Sequence, residues 1–272
     1  MSIASNLAVM RNAFSTASAT AKIPDGSVSH SLTERLANAG AIASPQGRIT
    51  ILIGPQLNVM FQYADTTQVT ALQTVFNRHS RDRDNIIGNV GNIDQWRLVS
   101  TGLRLGCING SETLNGWFEA VRMTSPDYGS GANFETGELP ADVEGNILNE
   151  TNWANHPSYV TGRLRDLSKH TFYLQPVKDT FDFVAGGLID DRSWDFIAIR
   201  IHSIPSGDDT LQTSIHYHVV KNFELCYDAN SALARFQTTC PVYKKGVESV
   251  RRGLIRDPKA TMIRQASAYA YK

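Results

Sequence analysis

Two histidines separated by one residue, His216 and His218 within TSIHYHVVKNFELCYD (Thr213–Asp228), are the pair best spaced for ligating a metal. On a strand both rings project from one face, and Glu224 falls on the same parity. Imidazoles with a carboxylate suit a transition-metal centre, so His216, His218 and Glu224 define the catalytic reading. Parity argues against it. The odd positions, Ile215, Tyr217, Val219, Lys221, Phe223, Leu225 and Tyr227, form the apolar face; the even ones are His216, His218, Val220, Asn222, Glu224 and Cys226. The histidines are therefore expected to turn away from the core, towards solvent or a neighbouring subunit.

Other constellations are sparser. Cys107, Cys226 and Cys240 lie far apart without a CxxC pair, which fits reduced buried thiols better than a disulfide or zinc framework. Asp190-Asp191 and Asp208-Asp209 occupy turn-like sequence, where the acids are expected to be solvated and a divalent cation shared between subunits is the minor alternative; no resident cofactor is expected. There is no GxSxG elbow, P-loop or dinucleotide fingerprint. A different chemistry is offered by the C-terminal segment. From Lys244 to the end, Lys244, Lys245, Arg251, Arg252, Arg256, Lys259, Arg264 and Lys272 give eight positive charges against Glu248 and Asp257, a net of +6. Clustered Lys and Arg suit phosphate backbones without reading their sequence.

The elements that must position these residues are mostly strands. The chain has 272 residues, balanced charge and 42% hydrophobic side chains, enough for a large core. GRITILIGPQLNVMFQYAD, QWRLVSTGLRLGC, NGWFEAVRM, HTFYLQP, FDFVAGG, WDFIAIRIHSI and the histidine stretch are rich in β-branched and aromatic residues between Gly, Pro, Asn and Asp breaks. That pattern predicts an all-β sandwich or barrel. QWRLVSTGLRLGC places Val99, Leu103, Leu105 and Cys107 on one parity. WDFIAIRIHSI and the histidine strand are expected to form a long hairpin across the turn PSGDDT. Helices are predicted at three places. Ile3, Leu7, Met10 and Phe14 make a short amphipathic N-terminal helix; Val69, Leu72, Val75 and Phe76 line one face of 65–80; and KKGVESVRRGLIRD forms a third. The acid-free N-terminus has some transit-peptide character, but an arm that docks on a neighbour is the preferred reading. Thr124–Pro157 contains six acids and no Lys or Arg between Pro126 and Glu150, so a solvent-facing excursion is expected. No apolar run approaches the roughly 20 residues that span a bilayer.

Two resemblances follow. HxH followed by a glutamate resembles the first cupin motif, but five residues separate His218 from Glu224, the expected glycine is Thr210, and the second motif has no counterpart. The order WRLVSTGLRL…NGWFEAVRM, HPSYVTGRLRDLSKHTFYLQP, WDFIAIRIHSIP, HYHVVKNFELCYD resembles single-jelly-roll capsid proteins of small icosahedral viruses. It is most similar to the nodavirus-like and tombusvirus-like group found in circular single-stranded DNA viruses such as bacilladnaviruses. The resemblance spans Arg48 to Gln237. It implies an eight-stranded antiparallel jelly-roll sandwich, with a few short helices and long loops, in which many copies of one chain tile a shell. The chain then divides into an N-terminal arm (1–47), a shell domain (48–237, with the 124–157 excursion facing outward) and a basic C-terminal segment (238–272). The implied partners are further copies of itself and packaged viral nucleic acid, the implied location is the virion, and no catalysis is implied. The competing reading is a cupin-like metalloenzyme using His216 and His218.

Overall fold

The computed structural model describes residues 3–15, 22–44, 48–55, 59–64, 73–76, 93–108, 116–125, 150–174, 183–185, 194–203, 213–256 and 263–265. The described strands are, in chain order, β1 (His30–Ser44), β2 (Arg48–Ile53), β3 (Val59–Ala64), β4 (Gln73–Phe76), β5 (Ile93–Cys107), β6 (Gly116–Ser125), β7 (Val160–Arg163), β8 (His170–Leu174), β9 (Val184–Ala185), β10 (Trp194–Ser203), β11 (Thr213–Tyr227), β12 (Thr238–Thr239) and β13 (Ile263–Gln265). Helix α1 is Ile3–Arg11 and helix α2 is Lys244–Ile255.

These strands make two antiparallel sheets, ordered β12-β1-β11-β5-β8-β13 (with β9 also on β5) and β4-β3-β2-β10-β6-β7. Eight of them make two four-stranded faces, β1-β11-β5-β8 and β2-β10-β6-β7, and between successive members the chain changes sheet at every step except β6 to β7. That is the connectivity of a jelly roll. Its consequence for β10 and β11 corrects the expected hairpin: β10 pairs with β2 and β6, whereas β11 pairs with β1 and β5 in the other sheet. Each strand carries an apolar face, and the two faces are buried against each other across the sandwich rather than lying edge to edge.

The core between the sheets holds Ile197, Ile199 and Ile201 of β10, Phe118 and Ala120 of β6, Ile215, Val219, Phe223 and Leu225 of β11, and Phe172 and Leu174 of β8. Phe118 meets Phe172 edge to face at 6.1 Å. The outer side of the second sheet is also covered in part. The 3-10 turn Glu150–Asn155 brings Trp153 over the Arg200 guanidinium at 4.1 Å, and Arg200 bonds Glu119 at 3.0 Å. Glu119 also faces His202 at 3.1 Å and accepts from the Tyr159 hydroxyl at 3.2 Å.

Three expectations change. Residues 1–47, expected as an arm, contribute α1 and the 15-residue β1, which pairs with β11 from Leu32 to Ser44. The helix expected over 65–80 is replaced at Gln73–Phe76 by strand β4, which pairs with β3; 65–72 and 77–80 lie outside the described residues. Val75 packs on the core from that strand, as a β-branched side chain favours. Residue Val99 does not share the face of Leu103 and Leu105. The ladder passes from Asn222↔Ser100 to Phe223↔Leu98, so Val99 is an extra, bulged residue that reverses the parity of everything before it. The 126–149 part of the acidic excursion, and Asp190, Asp191, Asp208 and Asp209, lie outside the described residues.

Lys221, read from sequence as one position of the apolar face of β11, is fully buried there. Its ammonium donates to the carbonyls of Gly54 (2.7 Å) and Val59 (2.6 Å), tying the β2–β3 connection to the other sheet. Burial pushes its pKa down to about 7. A lysine depressed in the folded state releases its proton near pH 7 on folding but only near 10.5 when unfolded, so the unfolded chain binds more protons between those values. Unfolding free energy measured in denaturant is expected to rise from pH 7 to pH 9.5. Lys221→Met should flatten that rise; an unchanged slope would remove Lys221 as its source.

Candidate functional site: the terminal layer on one sheet

The outer face of the β1-β11-β5 sheet divides into two halves, because the chain's own ends cover only one of them. Val9 and Met10 of α1, Val247, Val250 and Leu254 of α2, and Ile23 bury one another against Val99 of the bulge. The helix α1 buries Asn6, Val9 and Met10, with Ala13 buried just beyond its end, while Ile3 is exposed. Beyond α1, Phe14 lies over Gly102, where an added Cβ would come within 2.5 Å of its ring. The Asn222 amide, on the same face, donates to the Ala13 carbonyl and to Ser100 Oγ, both at 3.1 Å.

At the centre of this layer stands a fully buried ion pair. The bulge aligns Arg97 of β5 directly opposite Glu224 of β11, and the guanidinium reaches Glu224 Oε2 through Nε at 2.9 Å and NH2 at 2.7 Å. Arg97 also donates to Asp25 Oδ2 at 2.6 Å and to the Ile23 carbonyl at 3.0 Å. Glu224 accepts from Ser31 Oγ at 2.6 Å and from the Ile23 amide at 3.2 Å. The buried Lys22 ammonium donates to the Ser31 carbonyl at 2.6 Å and bonds the Thr238 carbonyl, so the segment entering β1 is held to the segment leaving β11. Burial alone would raise the Asp25 carboxyl, but Arg97 outweighs it and holds the group below the usual range. Among these residues only Glu224 was singled out by sequence. Arg97, Asp25 and Lys22 carry no local signal, because the bulge and the fold of the termini create their contacts.

This arrangement overturns the metal reading. Glu224 is on the histidines' face, as parity requires, but it is committed to Arg97 under the terminal layer. It also stands six residues from His218, roughly 20 Å along a strand. Val220, Asn222 and Cys226 are buried on that face too, so the even side of β11 is not a solvent surface beyond His218. His218 itself is half-buried, edge-on to Phe14 at 5.2 Å, with Arg104 stacked on the other ring at 4.0 Å. Burial, then the charges of Arg104 and Arg35, lower its pKa. His216 is exposed. The cysteines are free thiols, with Cys226 and Cys240 buried.

The basic residues separate according to the helix. Lys244, Lys245, Arg252 and Arg256 are exposed on the side of α2 opposite its buried valines, with Glu248 bonded to Arg252 at 2.8 Å. Arg251 is half-buried, and its Nε and one terminal nitrogen are buried with no acceptor. Arg264 lies within β13 opposite Thr171, and Lys259 lies outside the described residues. Glu224→Gln should destabilise the protein by about 3 kcal/mol, since it leaves the Arg97 charge short of a partner. Converting both Arg97 and Glu224 to Met should cost less than the single change. Denaturant unfolding of Glu224→Gln, Arg97→Met, Glu224→Met and the double Met variant checks this, and a double variant whose cost is the sum of its two Met singles would argue against a coupled pair.

The comparisons agree with this architecture. The family model described as shotokuvirus capsid protein matches residues 1–186 and 187–262. The capsid protein of Avon-Heathcote Estuary associated kieseladnavirus is 27% identical, over 91% of this chain and 85% of its own. The capsid protein of Chaetoceros diatodnavirus 1 is also 27% identical, over 89% and 78%. Among solved structures, the infectious bursal disease virus Gt strain chain superposes with a TM-score of 0.52 at 10% identity, covering 90% of this chain and 92% of that one. A chain of T=1 particles derived from infectious bursal virus gives 0.51 at 11%, covering 92% and 90%. These two likenesses concern the fold. With a family match running through nearly the whole sequence, on a sandwich of capsid jelly-roll connectivity, the chain belongs to the shotokuvirus capsid protein family and is a structural component of the virion.

Proposed function

We propose that many copies of this chain close an icosahedral shell around viral nucleic acid, with the terminal layer turned inward. Its role is mechanical rather than catalytic. The observation that carries the orientation is the division of α2. Val247, Val250 and Leu254 are spent on the chain's own sheet, which leaves Lys244, Lys245, Arg252 and Arg256 displayed as one basic ridge. Arg251 is half-buried and adds its positive charge beside the ridge. Lys259 and Arg264 follow in the same basic segment and are assigned the same role from their charge alone. Such contacts position nucleic acid without selecting sequence. The acidic 124–157 excursion then belongs on the outside, where like charge keeps it from the genome.

Electron microscopy of the purified protein is expected to show closed particles; only monomers or dimers across salt and pH would count against the shell. Replacing Lys244, Lys245, Arg252 and Arg256 with Gln should leave particles intact but lower their nucleic-acid content. The dependence of nucleic-acid binding on salt should also weaken, by a slope of about four for four lost phosphate contacts. Unchanged content and slope would remove α2 from the interior.

A further inference from the structure

The longest exposed strand edge in the described structure belongs to β1. Its far neighbour β12 reaches only His30 and Ser31, while β11 runs beside it as far as Ser44. The direction of the backbone groups along it can be read from two bonds. The Cys240 amide donates to the Ser29 carbonyl, which puts odd-numbered residues of this segment on the β12 side. In β11 the Ile108 amide donates to the Ser214 carbonyl, so even positions of β11 serve β5 and odd ones serve β1. Since odd positions of β11 face even positions of β1, the ladder uses Leu36, Asn38, Gly40 and Ile42. The amides and carbonyls of Ala37, Ala39, Ala41 and Ala43 therefore point to the outer edge, where no strand pairs with them among the described residues.

These four alanines are exposed, and the run from Leu36 to Ser44 contains no charge, no proline and no interruption of its register. Proteins that must remain single protect such an edge with lysine, proline, a bulge or brevity. Here none of those devices is present. We propose that this edge is an assembly interface, filled by the same strand of a second copy in antiparallel pairing about a twofold axis. The sequence is complementary to itself in that arrangement. Centred on Ala39, it sets Ala37 against Ala41 and Leu36 against Ile42, with Asn38 against Gly40 and Arg35 against Ala43, and it opposes no like charges. The small side chains let the two sheets continue as one surface, in the manner of β-strand addition.

The inference rests on the shell reading above, and its test separates the two. Ala39→Pro removes one edge-facing N–H while every ladder bond to β11 stays, a substitution that edge strands tolerate. The variant is expected to keep the wild-type circular dichroism and to sediment as monomer without particles. Should the proline variant fail to fold, Ala39→Lys and Ala41→Lys together place charge against charge across the same axis. Hydrogen exchange on the wild-type protein provides a reading independent of any variant. The amides of Ala37, Ala39, Ala41 and Ala43 should exchange at least about tenfold more slowly in particles or dimers than in dissociated chains. A folded variant that assembles at wild-type yield, or edge amides that exchange equally in both states, overturns the edge. Wild-type dimers with a protected edge but no closed particles would instead uphold the edge and count against the shell.

Discussion

The fully buried pair of Arg97 and Glu224 is the constraint around which the molecule is arranged. Two charges without water are tolerable only when their remaining donors and acceptors are met, and here the chain's N-terminal segment meets them. Ile23, Asp25 and Ser31 all bond to the pair, so the segment leading into β1 cannot leave without exposing an unpaired charge to an apolar layer. Lys22 extends the same tie to Thr238 and thus to the approach of α2. The helices α1 and α2 then find each other over Val99. A basic helix that would otherwise be a loose tail is thereby given a fixed place on the sandwich.

The framework was legible because β-branched and aromatic runs between turn residues are a direct record of half-buried strands. β2, β3, β5, β6, β8, β10 and β11 all lie where the sequence puts them. β1 was not legible: Ala37, Asn38, Ala39, Gly40 and Ala41 are poor strand formers by composition, and only pairing with β11 makes them one. The amphipathic spacing around Val75 resembled a helix, since a short apolar run fits both periods. For the site, parity correctly joined His216, His218 and Glu224 on one face. What it missed is that a single bulged residue, Val99, brings Arg97 under Glu224, and no periodicity in one strand can report its neighbour's register. The basic ridge was readable from charge alone, while its anchoring by Val247, Val250 and Leu254 required the helix to be placed.

The pairing of β1 with β11 also sets an order of events in the chain's history. Leu32 lies beside Leu225, so the central ladder joins segments from opposite ends of the sequence. Contacts of such separation close late, after the loop entropy of most of the chain has been overcome. During synthesis β1 emerges first and has no partner until β11 leaves the ribosome. Until then its alanine edge and its ladder side are equally unpaired, and neither side is held straight by a neighbouring strand. Completion of the sandwich is thus the moment at which the proposed edge is first held rigid along its length.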